Sequence, residues 1–107
     1  MAGSQAVDEV RYERVGAAAV LTIDRRHRRN AVDGPTAEKL LEGYNAFEAD
    51  EEARVLVLTG AGSEAFCAGA DLKNLESLGS RVLGGEAPLG FTRTTPTKPT
   101  IAAINGW

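Results

Sequence analysis

The sequence contains very little cysteine and histidine. Cys67 is the only cysteine among 107 residues, which excludes an intrachain disulfide and argues against a cysteine-based zinc site, so we predict no metal site. A nucleophilic role for Cys67 requires a neighbouring base. The only histidine, His27, lies far earlier in the chain with no motif around it. We therefore interpret Cys67 as a small buried apolar residue and His27 as a surface residue.

An excess of positive charge and long apolar runs are also lacking. Twelve Lys and Arg residues face 15 Asp and Glu residues, and the formal net charge of −3 argues against nucleic acid as the main partner. No apolar stretch approaches membrane-spanning length, and residues 1–8 lack the basic and apolar regions of a signal peptide. With 107 residues the chain forms at most one small domain. These observations predict a cytoplasmic protein with no nucleic-acid partner and no membrane partner.

Glycine, in contrast, is concentrated in residues 59–72, which read TGAGSEAFCAGADL. They follow an apolar run at residues 55–58 that is typical of a strand buried on both faces. The glycines predict a loop whose main chain another molecule approaches closely. A helical pattern over residues 71–78 follows, with Asp71 in the first turn, where a carboxylate complements the helix dipole. Free backbone N–H groups at a helix start can hold an anion, including one that forms only during a reaction.

The residues before this stretch predict a β-hairpin and a helix. Residues 9–15 alternate in polarity and residues 17–23 are apolar, with Gly16 between them, which predicts two strands. Asp33 is a suitable N-cap and Pro35 suits a first helical turn. The predicted helix carries one apolar stripe that indicates core packing: Ala37, Leu40, Leu41, Tyr44 and Phe47.

The residues after the glycine-rich stretch predict a long loop and a further strand. Residues 79–97 are rich in Gly, Pro and Thr, and loops of this length in compact domains are often functional. Residues 100–104 form another apolar run suited to a parallel sheet.

The charge run RRHRR at residues 25–29 has two interpretations. Such a run is commonly a solvated turn. Alternatively, it forms a cationic patch for phosphate, because the planar guanidinium group donates paired hydrogen bonds to phosphate oxygens. The residues alone leave both interpretations open.

Three segments carry a family resemblance. Residues 58–72 resemble the first signature of the crotonase family, the enoyl-CoA hydratase/isomerase superfamily. Residues 29–33, RNAVD, resemble the segment after the second strand of that family, and residues 98–106, KPTIAAING, resemble its next strand. The resemblance implies an α/β fold, the crotonase-like spiral of ββα units. It further implies that residues 1–107 are the N-terminal part of a single domain whose remainder lies in a complementary C-terminal segment or chain.

The resemblance also implies an activity, that of an enoyl-CoA hydratase or isomerase that stabilises a thioester enolate. The Ala70 N–H would be one oxyanion donor, and a glycine beyond Trp107 the second, with the acid–base residues also beyond Trp107. This chain alone would therefore be inactive. The residues that would border the pantetheine arm and the thioester are Ala68, Ala70, Asp71 and Leu72, and Arg29 and Ala31 would lie nearer the nucleotide.

The same resemblance implies a homotrimer or a hexamer and no cofactor beyond coenzyme A as part of the acyl-CoA substrate. Two alternatives of other classes remain. One is a catalytically inert CoA-binding or assembly subunit. The other is a dinucleotide-binding segment, because Gly60–x–Gly62–x–x–Ala65 fits the short glycine fingerprint. That fingerprint needs a helix that starts within it and an acidic residue about 20 positions later, and the sequence predicts neither.

Overall fold

The computed structural model describes residues 9–81, 90–91 and 94–107, and its framework is a four-stranded sheet. The strands are β1 (Val10–Val15), β2 (Ala18–Ile23), β3 (Val55–Gly60) and β4 (Thr100–Ala103). They lie in the order β1-β2-β3-β4. One α-helix, α1 (Gly34–Ala49), and two 3₁₀ segments, Arg26–Arg28 and Leu72–Arg81, complete the described elements.

The predicted hairpin is confirmed. β1 and β2 pair antiparallel, from Val10 opposite Ile23 to Val15 opposite Ala18. The turn contains Gly16 with φ of +62°, a left-handed conformation that glycine adopts without strain.

The parallel strands bring three chain segments to one edge of the sheet. β3 lies parallel to β2, with Gly60 opposite Ile23, and β4 lies parallel to β3, with Ala103 opposite Thr59. The carboxyl ends of β2, β3 and β4 therefore meet at the same edge. The residues that follow each strand form the candidate site.

Helix α1 begins and packs as its sequence predicts. The Asp33 side chain accepts a hydrogen bond from the Thr36 N–H at 3.0 Å, and Pro35 lies in the first turn. Four of the five stripe residues are buried, and the fifth, Leu41, is half-buried against the same core. The core lies between α1 and the sheet, where β2 contributes Leu21 and Ile23 and β3 contributes Leu56.

The helix predicted at residues 71–78 differs in type and extent. The structure has a 3₁₀ helix over Leu72–Arg81, with a non-helical residue, Asn74, inside it. Asp71 precedes this helix, and its side chain accepts from the Lys73 N–H at 3.0 Å. The Ser77 hydroxyl donates to the Asn74 carbonyl at 2.7 Å, so a side chain takes an acceptor that a continuous α-helix would use.

The predicted burial of the parallel strands is only partly correct. In β3, Leu56 is buried but Val57 and Leu58 are half-buried. All four residues of β4 are exposed, because none of the described residues covers either face of this strand. The first three residues of the predicted loop at residues 79–97 belong instead to the 3₁₀ helix, which ends at Arg81, and most of the remainder lies outside the described residues.

Candidate functional site

Two chain segments lie side by side at the carboxyl edge of the sheet. One follows β2 and the 3₁₀ turn and comprises residues 29–32. The other is residues 68–71, at the end of the glycine-rich stretch. Backbone hydrogen bonds join them, from Ala68 N–H to Arg29 O at 3.1 Å, from Val32 N–H to Gly69 O at 2.7 Å and from Asp71 N–H to Val32 O at 2.8 Å. Together they form a short parallel bridge between Val32 and Ala70.

This bridge sets the direction of the Ala70 N–H. In a trans peptide the C=O and the N–H point to opposite sides. The Gly69 carbonyl points at the Val32 N–H, so the Ala70 N–H of the same peptide points away from residues 29–32. Among the described residues, this N–H has no hydrogen-bond acceptor. Within the part of the chain that the structure describes, it is thus a free backbone donor at the position where the sequence predicts an oxyanion contact.

The bridge places most of the predicted site residues together. Arg29, Ala31, Ala68, Ala70 and Asp71 all lie on the two paired segments, whereas Leu72 follows them with 81% of its surface exposed. Ala31 is buried, and its carbonyl accepts a hydrogen bond from Arg25. Asp71 is also buried, so its carboxylate faces the interior. The ligand contacts predicted for these residues remain predictions.

Two asparagines that sequence reasoning missed hold the glycine-rich loop. Asn30, which is 1% exposed, donates from Nδ2 to the carbonyls of Ala61 and Ala65 at 3.1 and 2.9 Å. Asn105 donates to the Gly62 carbonyl at 2.7 Å. Both asparagines lie within the segments that resemble the family. Their position in these segments is the only feature of the sequence that could have identified them. These hydrogen bonds satisfy carbonyl groups of the loop that do not pair with a neighbouring strand.

A cleft of about 240 Å³ opens beside this loop. Arg26, Arg29 and Asn30 line one side, and residues 61–65 line the other. The Arg26 and Arg29 side chains are each 66% exposed, and Arg29 lies 3.8 Å from the Glu64 carboxylate. An exposed pair of this kind is weak, so the Arg29 guanidinium remains accessible to an anionic ligand.

The charge run at residues 25–29 is not uniform, and both of its interpretations are wrong for Arg25. Arg25 is 5% exposed, so it is neither solvated nor part of a surface patch. Its guanidinium group lies 3.1 Å from Glu9, 3.3 Å from Asp33 and 3.2 Å from Asp71. Burial alone would raise the pKa of Asp33, but hydrogen bonds from Thr36 and Asn74 and the charge of Arg25 hold that pKa below its usual value.

His27 lies on the surface as the sequence predicts, whereas the burial predicted for Cys67 is only partial. Cys67 is half-buried against the core, and this burial raises the pKa of its thiol, which disfavours the reactive thiolate. The His27 side chain is 63% exposed, and its Nε2 lies 4.0 Å from the Glu9 carboxylate. Across residues 9–81, 90–91 and 94–107, no group of three or more His, Cys, Asp and Glu side chains has a metal-binding arrangement. Over the same residues, no helix has the length and apolar character needed to cross a membrane.

Comparison with known proteins identifies the family. A family model described as enoyl-CoA hydratase/isomerase matches residues 13–107. The chain belongs to the enoyl-CoA hydratase/isomerase family. Mevalonyl-coenzyme A hydratase sidH of Aspergillus fumigatus is 37% identical in a 92-residue alignment that covers 82% of this chain and 34% of that protein. Short-chain-enoyl-CoA hydratase of Clostridium acetobutylicum is 34% identical in a 105-residue alignment that covers 94% of this chain and 40% of that protein.

A solved member of the enoyl-CoA hydratase/isomerase family shares the fold. A probable enoyl-CoA hydratase/isomerase from Mycobacterium abscessus superposes with a TM-score of 0.80 at 37% identity, over 94% of this chain and 39% of that structure. The predicted crotonase-like α/β fold is therefore confirmed, and the chain matches a part of it. The chain spans about a third to two fifths of the length of these relatives.

The dinucleotide-binding alternative is not supported. Residues 61–69 contain no helix, and the next helical segment begins at Leu72. The glycine fingerprint requires a helix start within itself, so that its N–H groups meet a pyrophosphate. The loop instead ends in the extended bridge that is shared with residues 29–32.

Proposed function

We propose that the complete protein is an acyl-CoA-processing enzyme, an enoyl-CoA hydratase or isomerase that stabilises a thioester enolate. The observation that carries this proposal is the Ala70 N–H, which has no acceptor among the described residues and whose direction is set by the hydrogen bond from Val32 to Gly69. A donor held rigidly before the reaction stabilises developing negative charge without reorganisation. Family membership supplies the substrate class, because the matched relatives are named as CoA hydratases.

The chemistry requires charge to move onto one oxygen atom. When the α-carbon of the thioester becomes carbanion-like, its electron pair delocalises onto the carbonyl oxygen. The Ala70 N–H stabilises that oxygen, and we propose a glycine beyond Trp107 as the second donor. The proton donors and acceptors for the carbon atoms also belong to that later part of the protein.

The rest of the ligand would lie along the two paired segments. We propose that Ala68, Ala70, Asp71 and Leu72 border the pantetheine arm, with Asp71 contributing its backbone because its carboxylate faces Arg25. Arg29 and Ala31 would lie nearer the nucleotide, and the cleft beside Arg29 supports this placement. A homotrimer or hexamer, a complementary C-terminal segment or chain and a cytoplasmic location remain part of the proposal.

Calorimetry with acetoacetyl-CoA tests the function. The complete protein should bind this ligand, and the ionic part of the binding should weaken as salt screens the phosphates. Arg29→Gln should weaken binding about two- to fivefold, which is typical of one exposed ionic contact. Arg14→Gln is the matched control, since Arg14 pairs with Asp50 and Glu52 at the other end of the sheet. Absence of binding heat and of competition at millimolar ligand would contradict the proposal.

A further inference from the structure

Arg25 is buried although it carries a full charge, and it is the centre of a cluster of acidic side chains. It lies in the turn after β2 with a side chain that is 6% exposed. Each nitrogen of its guanidinium faces a different carboxylate. Nε lies 3.1 Å from Glu9, Nη2 lies 3.3 Å from Asp33, and Nη1 lies 3.2 Å from Asp71. These acids come from the residue before β1, the N-cap of α1 and the end of the glycine-rich stretch.

One nitrogen of Arg25 joins both sides of the bridge that carries Ala70. Nη1 donates a hydrogen bond to the Ala31 carbonyl and also faces Asp71. Ala31 directly precedes Val32, and Asp71 directly follows Ala70. The two residues that are paired in the bridge, Val32 and Ala70, therefore each adjoin a group that Arg25 holds.

The buried negative charge of Asp71 depends on Arg25 for its electrostatic compensation. Its Oδ2 atom is buried and has no hydrogen bond among the described residues. The charges facing this atom are Arg25 at 3.2 Å and the Arg28 Nε at 3.9 Å. An unpaired buried carboxylate is strongly unfavourable. Without Arg25, Asp71 would therefore turn towards solvent, and its backbone N–H, which donates to Val32, would shift with it.

We propose that Arg25 is a positioning residue that holds the Gly69–Ala70 peptide in the orientation needed for oxyanion binding. It does not touch the substrate. It acts by holding Ala31 and Asp71, which directly adjoin Val32 and Ala70, the two residues paired in the bridge. This inference rests on the proposed function. It adds a residue that does not contact the substrate and would therefore not otherwise be counted among the residues that support the reaction.

The test compares Arg25→Gln and Arg25→Lys with wild type in the complete protein. Misplacement of a catalytic group by about 1 Å can reduce the rate about 100-fold, so Arg25→Gln should lower kcat by about 10- to 100-fold with little change in KM. Arg25→Lys keeps the charge but not the planar three-nitrogen group, so its loss should be intermediate. Arg14→Gln is the control. It removes an arginine that also pairs with two carboxylates, but this arginine lies near the end of β1, whereas Arg25 lies beside the residue that precedes the strand.

A spectroscopic measurement separates positioning from stability. Butyryl-CoA labelled with ¹³C at the thioester carbonyl is a saturated probe that undergoes no hydration. Its carbonyl stretch should move to lower frequency when wild type binds it, since the Ala70 N–H polarises the bond. The shift should be smaller with folded Arg25→Gln. A purely structural role predicts that the variant loses folded fraction while the bound probe keeps the wild-type shift.

Asp71→Asn decides the outcome if Arg25→Gln does not fold. It retains an Oδ1 acceptor for the Lys73 N–H and replaces the charged Oδ2, which faces Arg25, with a neutral amide nitrogen. We expect a reduced carbonyl shift for this variant as well. A wild-type shift and a wild-type kcat in folded Arg25→Lys and Asp71→Asn would overturn the inference about Arg25. Failure of wild type to bind butyryl-CoA would instead overturn the proposed function.

Discussion

At the scale of single residues, Gly69 determines how the Ala70 N–H is presented. Its φ of +97° is a conformation that residues with a side chain rarely adopt, although a Cβ at this position would meet nothing within 4 Å. The requirement for glycine is therefore conformational and not steric. The same backbone turn lets the Gly69 carbonyl reach Val32 while the next N–H faces the other way.

We predict that Ala70→Pro abolishes most activity while the protein remains folded. Proline removes the N–H, and loss of one oxyanion donor typically costs about 10²–10³ in kcat, or roughly 3–4 kcal/mol of transition-state stabilisation. The fold should tolerate the change because, within the described residues, the Ala70 N–H donates to no other group. The measurement is kcat together with the thermal midpoint in the complete enzyme.

Ala70→Ser is the control for this prediction. It keeps the N–H, so its kcat should stay close to that of wild type unless the hydroxyl crowds the thioester. If Ala70 is small only because it packs against the core, both variants should lose stability and activity in parallel. Near-normal turnover by folded Ala70→Pro would show that Ala70 is not an oxyanion donor.

At the scale of secondary-structure elements, the 3₁₀ helix Leu72–Arg81 is attached to the N-terminus of α1. The Gly34 N–H donates to the Ser77 hydroxyl at 2.8 Å, and the Asn74 side chain donates to the Asp33 carboxylate at 3.1 Å. Leu78, which is 1% exposed, anchors the segment in the core. This contact supports the residues directly after Ala70.

We predict that Gly34→Ala destabilises the complete protein. Helix propensity alone favours alanine over glycine by about 1 kcal/mol in a helix interior. In this position, however, the new Cβ would lie 2.2 Å from the Ser77 carbonyl oxygen, so the 3₁₀ helix would be displaced. Overpacking of this kind costs roughly 1–3 kcal/mol. Thermal or urea unfolding of the variant should therefore give a lower midpoint than that of wild type.

Gly79→Ala is the matched control, because Gly79 also lies in a helical segment but a Cβ there would meet nothing within 4 Å. Its midpoint should equal or exceed that of wild type. Equal midpoints for Gly34→Ala and Gly79→Ala would mean that the contact between the two helices does not resist an added methyl group.

At the scale of the whole molecule, β4 and the residues after it expose three large apolar side chains. Ile101 is 54%, Ile104 69% and Trp107 91% exposed. Parallel strands are normally covered on both faces, and exposed apolar strand surface promotes association between chains.

We predict that residues 1–107 produced as an isolated polypeptide self-associate and are inactive. Ile101 and Ile104 would be exposed in the isolated segment, so their replacement by serine should reduce the association without restoring activity. Light scattering after gel filtration would measure the association, and dispersion of amide NMR signals would measure the folding. A monomeric species that unfolds cooperatively would contradict this prediction.

Much of the fold was predictable because its signals are local. The alternation in residues 9–15, the apolar run at residues 55–58 and the Asp33 cap with its apolar stripe each depend on neighbours in sequence. The resemblance of three short segments predicted the family that the comparison confirmed. The 3₁₀ form of residues 72–81 was not predictable, since it depends on the side-chain bonds of Asn74 to Asp33 and of Ser77 to Gly34.

The sequence by itself thus determined the strands, the first helix and the family, because periodicity, capping and glycine placement act within a few residues. Only the tertiary structure decided which of the charged and polar residues are internal. Arg25 reads as one of five residues in a solvated run, yet it is buried because acids from three distant segments converge on it. Asn30 is likewise distinguished only by the carbonyls of Ala61 and Ala65, more than 30 residues away. The direction of the Ala70 N–H was likewise decided only by the tertiary structure. It depends on a hydrogen bond between Gly69 and Val32 that exists only when the two segments lie side by side.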